Sequence, residues 1–494
     1  MESSLVRNNY KNYADTVGWL LSIIVPVITY FSLATSGLAN EVIIFSSILS
    51  SAVVMWIFRL VREYLPGILV VIACASLGLV PTNIILAGFS SETFIMVFSV
   101  LAITILIARS NLISRLILTL LRLVPKKAIY YDAVFFISFA FLTPLIPSVI
   151  SRTHLVGKAA VRVLEMFGAK NHEGCVLSTT VSAFFGASLF SNIFLSASLM
   201  NFIILALLPL QEQLQFQLVG WFKASFAAFI VILVTYAIGY FILQRFFFKD
   251  RQLMSGKNPQ SAKKNSQELI KQQDQLIAEY LKALGPISKD EWFSFATMAV
   301  FFIGMLTFPY HKISPTWIAF SLVYLLLAFN IISREDLLSK VDWTFLLFMA
   351  SIIGISSVIN YFNISGTLSG SLRAFTNVFE ASPGLLFIFF VVLTMIVRFF
   401  LPIGATIALL IPVFITLAEA YGVTAWTACF ACLMVTDMWF FKYQCIFYTP
   451  MSDVLEEAGV SFNEKKFLAF NIMANIVRIL AVFSSFYYWC WIGL

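Results

Sequence analysis

Apolar residues occupy this chain in blocks of about 20, with polar residues gathered between them. A helix needs about 20 apolar residues to cross hydrocarbon, so each block predicts a span. In the first half the blocks fall at roughly 16–36, 41–58, 66–86, 91–108 and 219–245. In the second half they fall at roughly 292–309, 314–331, 342–360, 424–448 and 465–490. An interrupted apolar run after Glu173 brings the expectation to about 11 spans. Ser91 stands where the fourth would take an N-cap.

Two further blocks, 139–164 and 394–417, are broken in their middles. In the first, Pro144 and Pro147 precede Ser148, Ser151, Arg152 and Thr153. In the second, Arg398 and Pro402 precede Gly404, Ala405 and Thr406. Broken backbone at membrane depth persists only inside protein or against a wet cavity. One break in each half points to inverted repeats with a site between them. An arm that stops at Pro144 covers about 17 Å of a core of about 30 Å. The pattern therefore predicts two re-entrant hairpins, over roughly 131–167 and 383–421, entering from opposite faces. The first tip is expected at 147–153. In the run after Glu173, the residues Ser182, Gly186, Ser188, Ser191 and Asn192 fit either close helix packing or a span unwound against that tip.

Segments 111–124 and 365–379 read as helices lying in the interface, with Arg115 and Arg122 reaching headgroups. The stretch from Lys249 to Glu291 is polar and reads as a cytoplasmic linker with one amphipathic helix. Arg7, Lys11, Arg59, Arg62, Lys126 and Lys127 place the N-terminus in the cytoplasm by the positive-inside rule.

Composition sharpens this picture. The chain is 60% hydrophobic and 12% charged, against about 25% charged in soluble proteins, so it is expected to be a polytopic membrane protein. Its net charge of +7 sits at span ends, as orientation signals do, and no basic face for nucleic acid is visible. The first residues are polar and lead into a long apolar run, which reads as a retained span rather than a signal peptide. Cys429 and Cys432 form a C-x-x-C without accompanying ligands, and three histidines are too scattered for a zinc centre. No paired acids or His–Asp set points to an enzyme. Arg152 and Arg398 are charges inside spans, which suggest either anion contact or pairing with a buried acid. His154, Arg398, Asp437 and Lys442 are candidates for a charge relay.

Several runs resemble the divalent anion/sodium symporter family, the dicarboxylate and citrate carriers. They are VDWTFLLFMASIIGISSVI at 341–359, EYLKALGPISKDEW at 279–292, IALLIPVFITLAEAYG at 407–422, and IFYTPMSDVLEEAGVSFNEKKFLAFNI at 446–472. The resemblance implies an elevator-type secondary transporter and a homodimer. It places substrate at Ser148, Ser151, Arg152, Thr153, Ser188, Asn192, Pro402, Gly404, Ala405, Thr406, Thr449 and Pro450. The family's Ser-Asn-Thr tips, which hold sodium, are altered: Arg152 stands near the first, and Pro402, Ile403 and Gly404 replace the second. No confident metal site remains. A guanidinium repels sodium and suits an anion.

The expectation is therefore an all-α protein in two inverted repeats, 1–248 and 291–494, joined by a linker at 249–290. It would carry small di- or tricarboxylates with altered or absent sodium coupling, with sodium or protons as candidate coupling ions and no cofactor. The partners would be an anion, the bilayer and a second copy. The setting would be a bacterial inner membrane. A sulfate-like substrate on the same fold and a non-transporting receptor are the alternatives.

Overall fold

The computed structural model describes residues 2–125, 128–166, 168–247, 266–364 and 383–494. Lys126, Lys127, the predicted interfacial helix at 365–379 and the linker stretch 249–265 lie outside the described residues. No strand occurs among the described residues, and seven helices are long and apolar enough to cross a membrane.

Local chemistry sets the helix ends. The side chain of Ser91 accepts from the Phe94 N–H and starts Glu92–Arg109. Ser288 and Glu291 form a reciprocal capping box at Lys289–Leu306. The Asn463 side chain accepts from the Lys465 and Lys466 N–H groups at Glu464–Ile492. Each satisfies N–H groups that the helix itself cannot.

Helices from both halves build a scaffold. Tyr64–Ser76 packs on Trp343–Tyr361, and Glu92–Arg109 packs on Pro315–Ala328. The stretch at 85–88 between the first-half helices approaches Trp343–Tyr361 closely enough to require glycine on both sides. A Cβ on Gly88 would sit 2.0 Å from the Ala350 carbonyl oxygen, and one on Gly354 would sit 2.2 Å from that of Ile85.

The remaining helices form a second unit with mirrored parts. The first hairpin is Ala128–Leu142 and Val149–Met166; the second is Pro383–Phe400 and Ile403–Ala420. Both arms of the first pack along Glu173–Ser188, and both arms of the second pack along Ala425–Thr436. That arrangement requires the chain to fold back at each tip. The exit arm of each hairpin also meets the other repeat: Val149–Met166 packs on Thr449–Glu457, and Ile403–Ala420 on Leu199–Leu207. The long helices Leu218–Phe247 and Glu464–Ile492 pack together. Trp489 Nε1 donates to the Ala224 carbonyl at 2.8 Å across that seam.

Four expectations change. The predicted third span is Tyr64–Ser76 followed by a turn and the short helix Thr82–Ile85. The predicted span 424–448 is broken: its helix stops at Thr436, and helix resumes at Thr449. The exit arms have 18 residues each, about 27 Å at 1.5 Å per residue, so packing and not shortness makes them hairpins. Arg115 does not reach outward. It pairs with Glu291 at 3.1 Å and donates to the Gly285 carbonyl at the same distance.

Candidate functional site

A helix that ends inside a protein leaves carbonyls without intrahelical partners, at the negative end of its dipole. Two such ends meet behind the first tip, where Ala128–Leu142 and Glu173–Ser188 both stop. Arg152 fills the space between them and is fully buried. Its Nε donates to the Ala187 carbonyl at 2.9 Å. Nη1 donates to the carbonyls of Thr143 at 3.2 Å, Ala197 at 2.6 Å, and Ile146. Nη2 donates to Ser191 Oγ at 2.8 Å. One guanidinium thus holds the tip, the helix end and the chain beyond the break.

The second repeat does the same with Arg398. Its Nε donates to the Thr436 carbonyl at the end of Ala425–Thr436, at 2.8 Å. Nη1 donates to Leu401 in the tip at 3.0 Å, and Nη2 to Gln444 beyond the break at 2.6 Å. The two arginines come from opposite arms: Arg152 from the first turn of an exit arm, Arg398 from the last turn of an entering arm. A third arginine, Arg478, is buried on Glu464–Ile492 and bonds to Asn475 Oδ1 at 3.4 Å.

In front of the tips lies a cavity of about 970 Å³ between the mirrored unit and the scaffold. Three helices start at its wall. Val149, Ile150 and Ser151 open Val149–Met166, Ile403 and Gly404 open Ile403–Ala420, and Leu199 and Met200 open Leu199–Leu207. Their first-turn N–H groups have no acceptor within the helix, and their dipoles point positive ends at the cavity. Ser148, Ser151 and Ser198 add hydroxyls. Ser148 Oγ accepts from the Ser151 N–H at 3.2 Å, which fixes the first tip. Asp437 also lines the cavity, its Oδ2 accepting from Asn192 Nδ2 at 3.0 Å. Thr104, Phe345 and Phe348 line the scaffold side, and Arg62, Glu63, Arg109, Lys340 and Asp342 bring charges of both signs to the lining.

A family model described as "Sodium:sulfate symporter transmembrane region" matches residues 14–494. The chain belongs to the sodium:sulfate symporter family. None of the curated proteins matches it. Family membership makes it an integral membrane protein of an anion-transporter family, in agreement with its apolar helices.

Sodium, which the family's description implies, does not fit the two breaks. Converging carbonyl oxygens are the ligands an alkali ion takes in place of water. Here those oxygens accept from a fixed guanidinium in both repeats. A second cation at contact distance would be repelled.

The cavity gathers Ser148, Ser151, Gly404 and Asp437 from the sequence candidates, with Asn192 behind Asp437. Arg152 lies behind the tip and is not in the cavity wall. Arg398 and Pro402 line a separate cavity of about 140 Å³, with Arg59, Arg62 and Glu63. Thr153 and Thr406 are buried and donate to the Ile150 and Pro402 carbonyls. Ala405 and Ser188 are buried, and Ser188 Oγ has no hydrogen-bond partner among the described residues. Thr449 and Pro450 begin Thr449–Glu457 and lie outside the wall. The relay does not assemble. Lys442 pairs with Glu464, and no hydrogen bond or ion pair joins the half-buried His154 to Asp437 among the described residues.

Ser198, Thr104, Phe345 and Phe348 were not candidates. Ser198 carried a local signal, a serine before an apolar run, and it caps Leu199–Leu207 through the Met200 N–H. The scaffold residues carried none, because their role depends on which helix faces the tips.

Proposed function

We propose that the chain carries small organic anions, di- or tricarboxylates, across a membrane by elevator-type alternating access. The observation that supports this best is the convergence of three helix N-termini and three serine hydroxyls on one cavity between the tips and the scaffold. Each helix end favours a nearby anion by about 0.3–1 kcal/mol. A hydroxyl bonded to a charged group adds about 1.5–3 kcal/mol. Such a site favours a carboxylate over a neutral solute.

In this reading Ser148, Ser151 and the Gly404 backbone contact the substrate. Arg152 and Arg398 contribute fixed charge and hold the tips in shape, along with Thr153, Thr406, Ser188, Asn192, Pro402 and Ala405. The unit of hairpins, broken spans and the two long helices moves; the other helices form a homodimeric scaffold. Arg62, Arg109 and Lys340 mark the cytoplasmic face by the positive-inside rule, so the cavity opens inward. A bacterial inner membrane and a cytoplasmic N-terminus accord with that polarity.

Uptake into proteoliposomes, competed by succinate, citrate and sulfate, tests this reading. Carboxylates are expected to compete, and Ser148→Ala with Ser151→Ala to raise the half-saturating concentration about tenfold or more. Failure of all three anions to bind or compete would overturn it. The family's description names sulfate, so competition by sulfate alone would favour the inorganic-anion reading of the same cavity.

A further inference from the structure

The tips offer donors to the large cavity. Helix first turns present N–H groups there, and Ser148, Ser151 and Ser198 present hydroxyls. Asp437 breaks that pattern. It lies in the same wall, and an ionised carboxylate only accepts. One of its oxygens is fixed from the other repeat: Asn192 Nδ2 donates to the Leu433 carbonyl and to Asp437 Oδ2, both at 3.0 Å. The other oxygen, Oδ1, has no hydrogen-bond partner among the described residues. It is not one of the partnerless oxygens sealed from solvent, so it opens to the cavity.

Structure alone does not call for this charge. Holding Asn192 takes one oxygen, and an amide would serve. Asp437 follows the last turn of Ala425–Thr436, where the helix dipole disfavours a negative group. The buried guanidiniums of Arg152, Arg398 and Arg478 lie within its electrostatic reach. No ion pair joins any of them to it among the described residues. The lining's other acids are engaged elsewhere. Asp342 caps Trp343–Tyr361 and accepts from Thr344 Oγ1, and Glu63 shares the smaller cavity with Arg59, Arg62 and Arg398.

We propose that Asp437 reads a hydroxyl on the substrate, so that the site selects a hydroxylated dicarboxylate such as malate over plain succinate. This assignment rests on the transport reading above and adds which members of that substrate class the cavity takes. The carboxylates of the anion take the serine hydroxyls and helix N–H groups. An anion made only of acceptors sets an oxygen against Oδ1, with like charge and no proton between them. A hydroxyl turns that clash into a hydrogen bond to a charged acceptor. An ammonium also donates, but it would face the positive ends of three helices and the three guanidiniums. The neutral hydroxyl carries no such penalty.

The test uses the purified full chain in proteoliposomes preloaded with unlabelled malate, with labelled malate and labelled succinate as probes. Malate, succinate and aspartate are the competitors; they differ only in the hydroxyl, hydrogen or ammonium beside one carboxylate. With the wild type, malate is expected to half-inhibit uptake at a concentration at least about tenfold below that of succinate or aspartate. Asp437→Asn keeps the shape. Asn192 claims the variant's amide oxygen, which turns its amide N–H groups toward the cavity. The succinate-to-malate ratio should then fall below about threefold, because succinate gains a donor and malate loses its acceptor. Asp437→Ala offers neither group and should lower the ratio likewise. Each ratio is internal to one preparation and does not depend on how much protein folds. Equal inhibition by malate and succinate in the wild type would overturn the proposal and leave the transport reading intact. So would a wild-type ratio that survives both substitutions, since the hydroxyl would then be read elsewhere. Aspartate as strong as malate would overturn the hydroxyl in favour of an ammonium. Neither uptake of the probes nor inhibition by any competitor would overturn the transport reading and the proposal together.

Discussion

At the scale of single residues, charge inside a span is easy to see and its direction is not. Arg152 stands out in the sequence as a charge at the break of an otherwise apolar block. Its hydrogen-bond partners lie as far as 45 residues away, at Ala197, so no local pattern shows that its donors turn from the cavity. Arg152→Met would leave several buried carbonyls without a donor. Breaking such a buried network costs about 3–5 kcal/mol, and thermal melting in detergent should show a large drop. Arg152→Lys should recover only part, because one ammonium cannot reach acceptors spread around a planar fork. A melting temperature for the methionine variant equal to wild type would remove the cage from the account of stability. Asp336 shows the opposite case, a local pair legible from spacing. Its carboxyl, outside the spans, is held down to about 2 by the Lys340 hydrogen bond, helped by the Ser333 N–H. A depressed carboxylate contributes stability above its ordinary range, lost as pH falls through about 2. The Asp336→Asn variant should therefore melt below wild type near neutral pH and converge with it in strong acid.

At the scale of elements, the two hairpins were legible because proline and small residues interrupt their apolar runs. The break at 437–448 was not. Its residues, which include Trp439, Phe440 and Phe441, look like continuing span. The donors and acceptors that satisfy it come mostly from elsewhere. Asn471 and Asn475 both donate to the Trp439 carbonyl, and Gln444 Oε1 accepts from the Phe440 and Phe441 N–H groups. Asp437, Lys442 and Gln444 are the only polar marks in the segment, and the asparagines that hold the Trp439 carbonyl sit on another helix. The second tip meets the scaffold where Gly404 faces Phe348. A Cβ on Gly404 would lie 2.2 Å from the Phe348 ring. Gly404→Ala should slow transport or lower the melting temperature by the roughly 1–3 kcal/mol of an overpacked contact. Because the obstacle is a side chain, adding Phe348→Ala should restore most of the loss. A double variant no better than Gly404→Ala would show that the glycine serves backbone shape instead. Gly186 offers the contrast. Its Cβ would meet the Phe136 backbone oxygen at 2.4 Å, so no side-chain change should rescue Gly186→Ala.

At the scale of the whole molecule, the mirrored repeats were readable from the paired breaks, and which wall faces which was not. Among the described residues a cavity of about 970 Å³ lies between the two units, and its lining joins the tips to Arg109 and Lys340. Alternating access requires that this opening be one of two. Cysteine chemistry can find the other. Five of the six cysteines are buried and only Cys490 is exposed, so Cys490→Ser provides a quiet background. Ser151→Cys in that background puts a thiol on the first tip. A charged, membrane-impermeant thiol reagent should reach it from the face that carries Lys340. If the tip never leaves this position, reagent confined to the opposite face will not modify it under any condition. If the unit moves when loaded, adding the transported anion should produce modification from the opposite face, while anion in the site slows it at the first. Modification from one face alone, unchanged by an anion that the protein demonstrably exchanges, would rule out motion of the tip and with it the elevator.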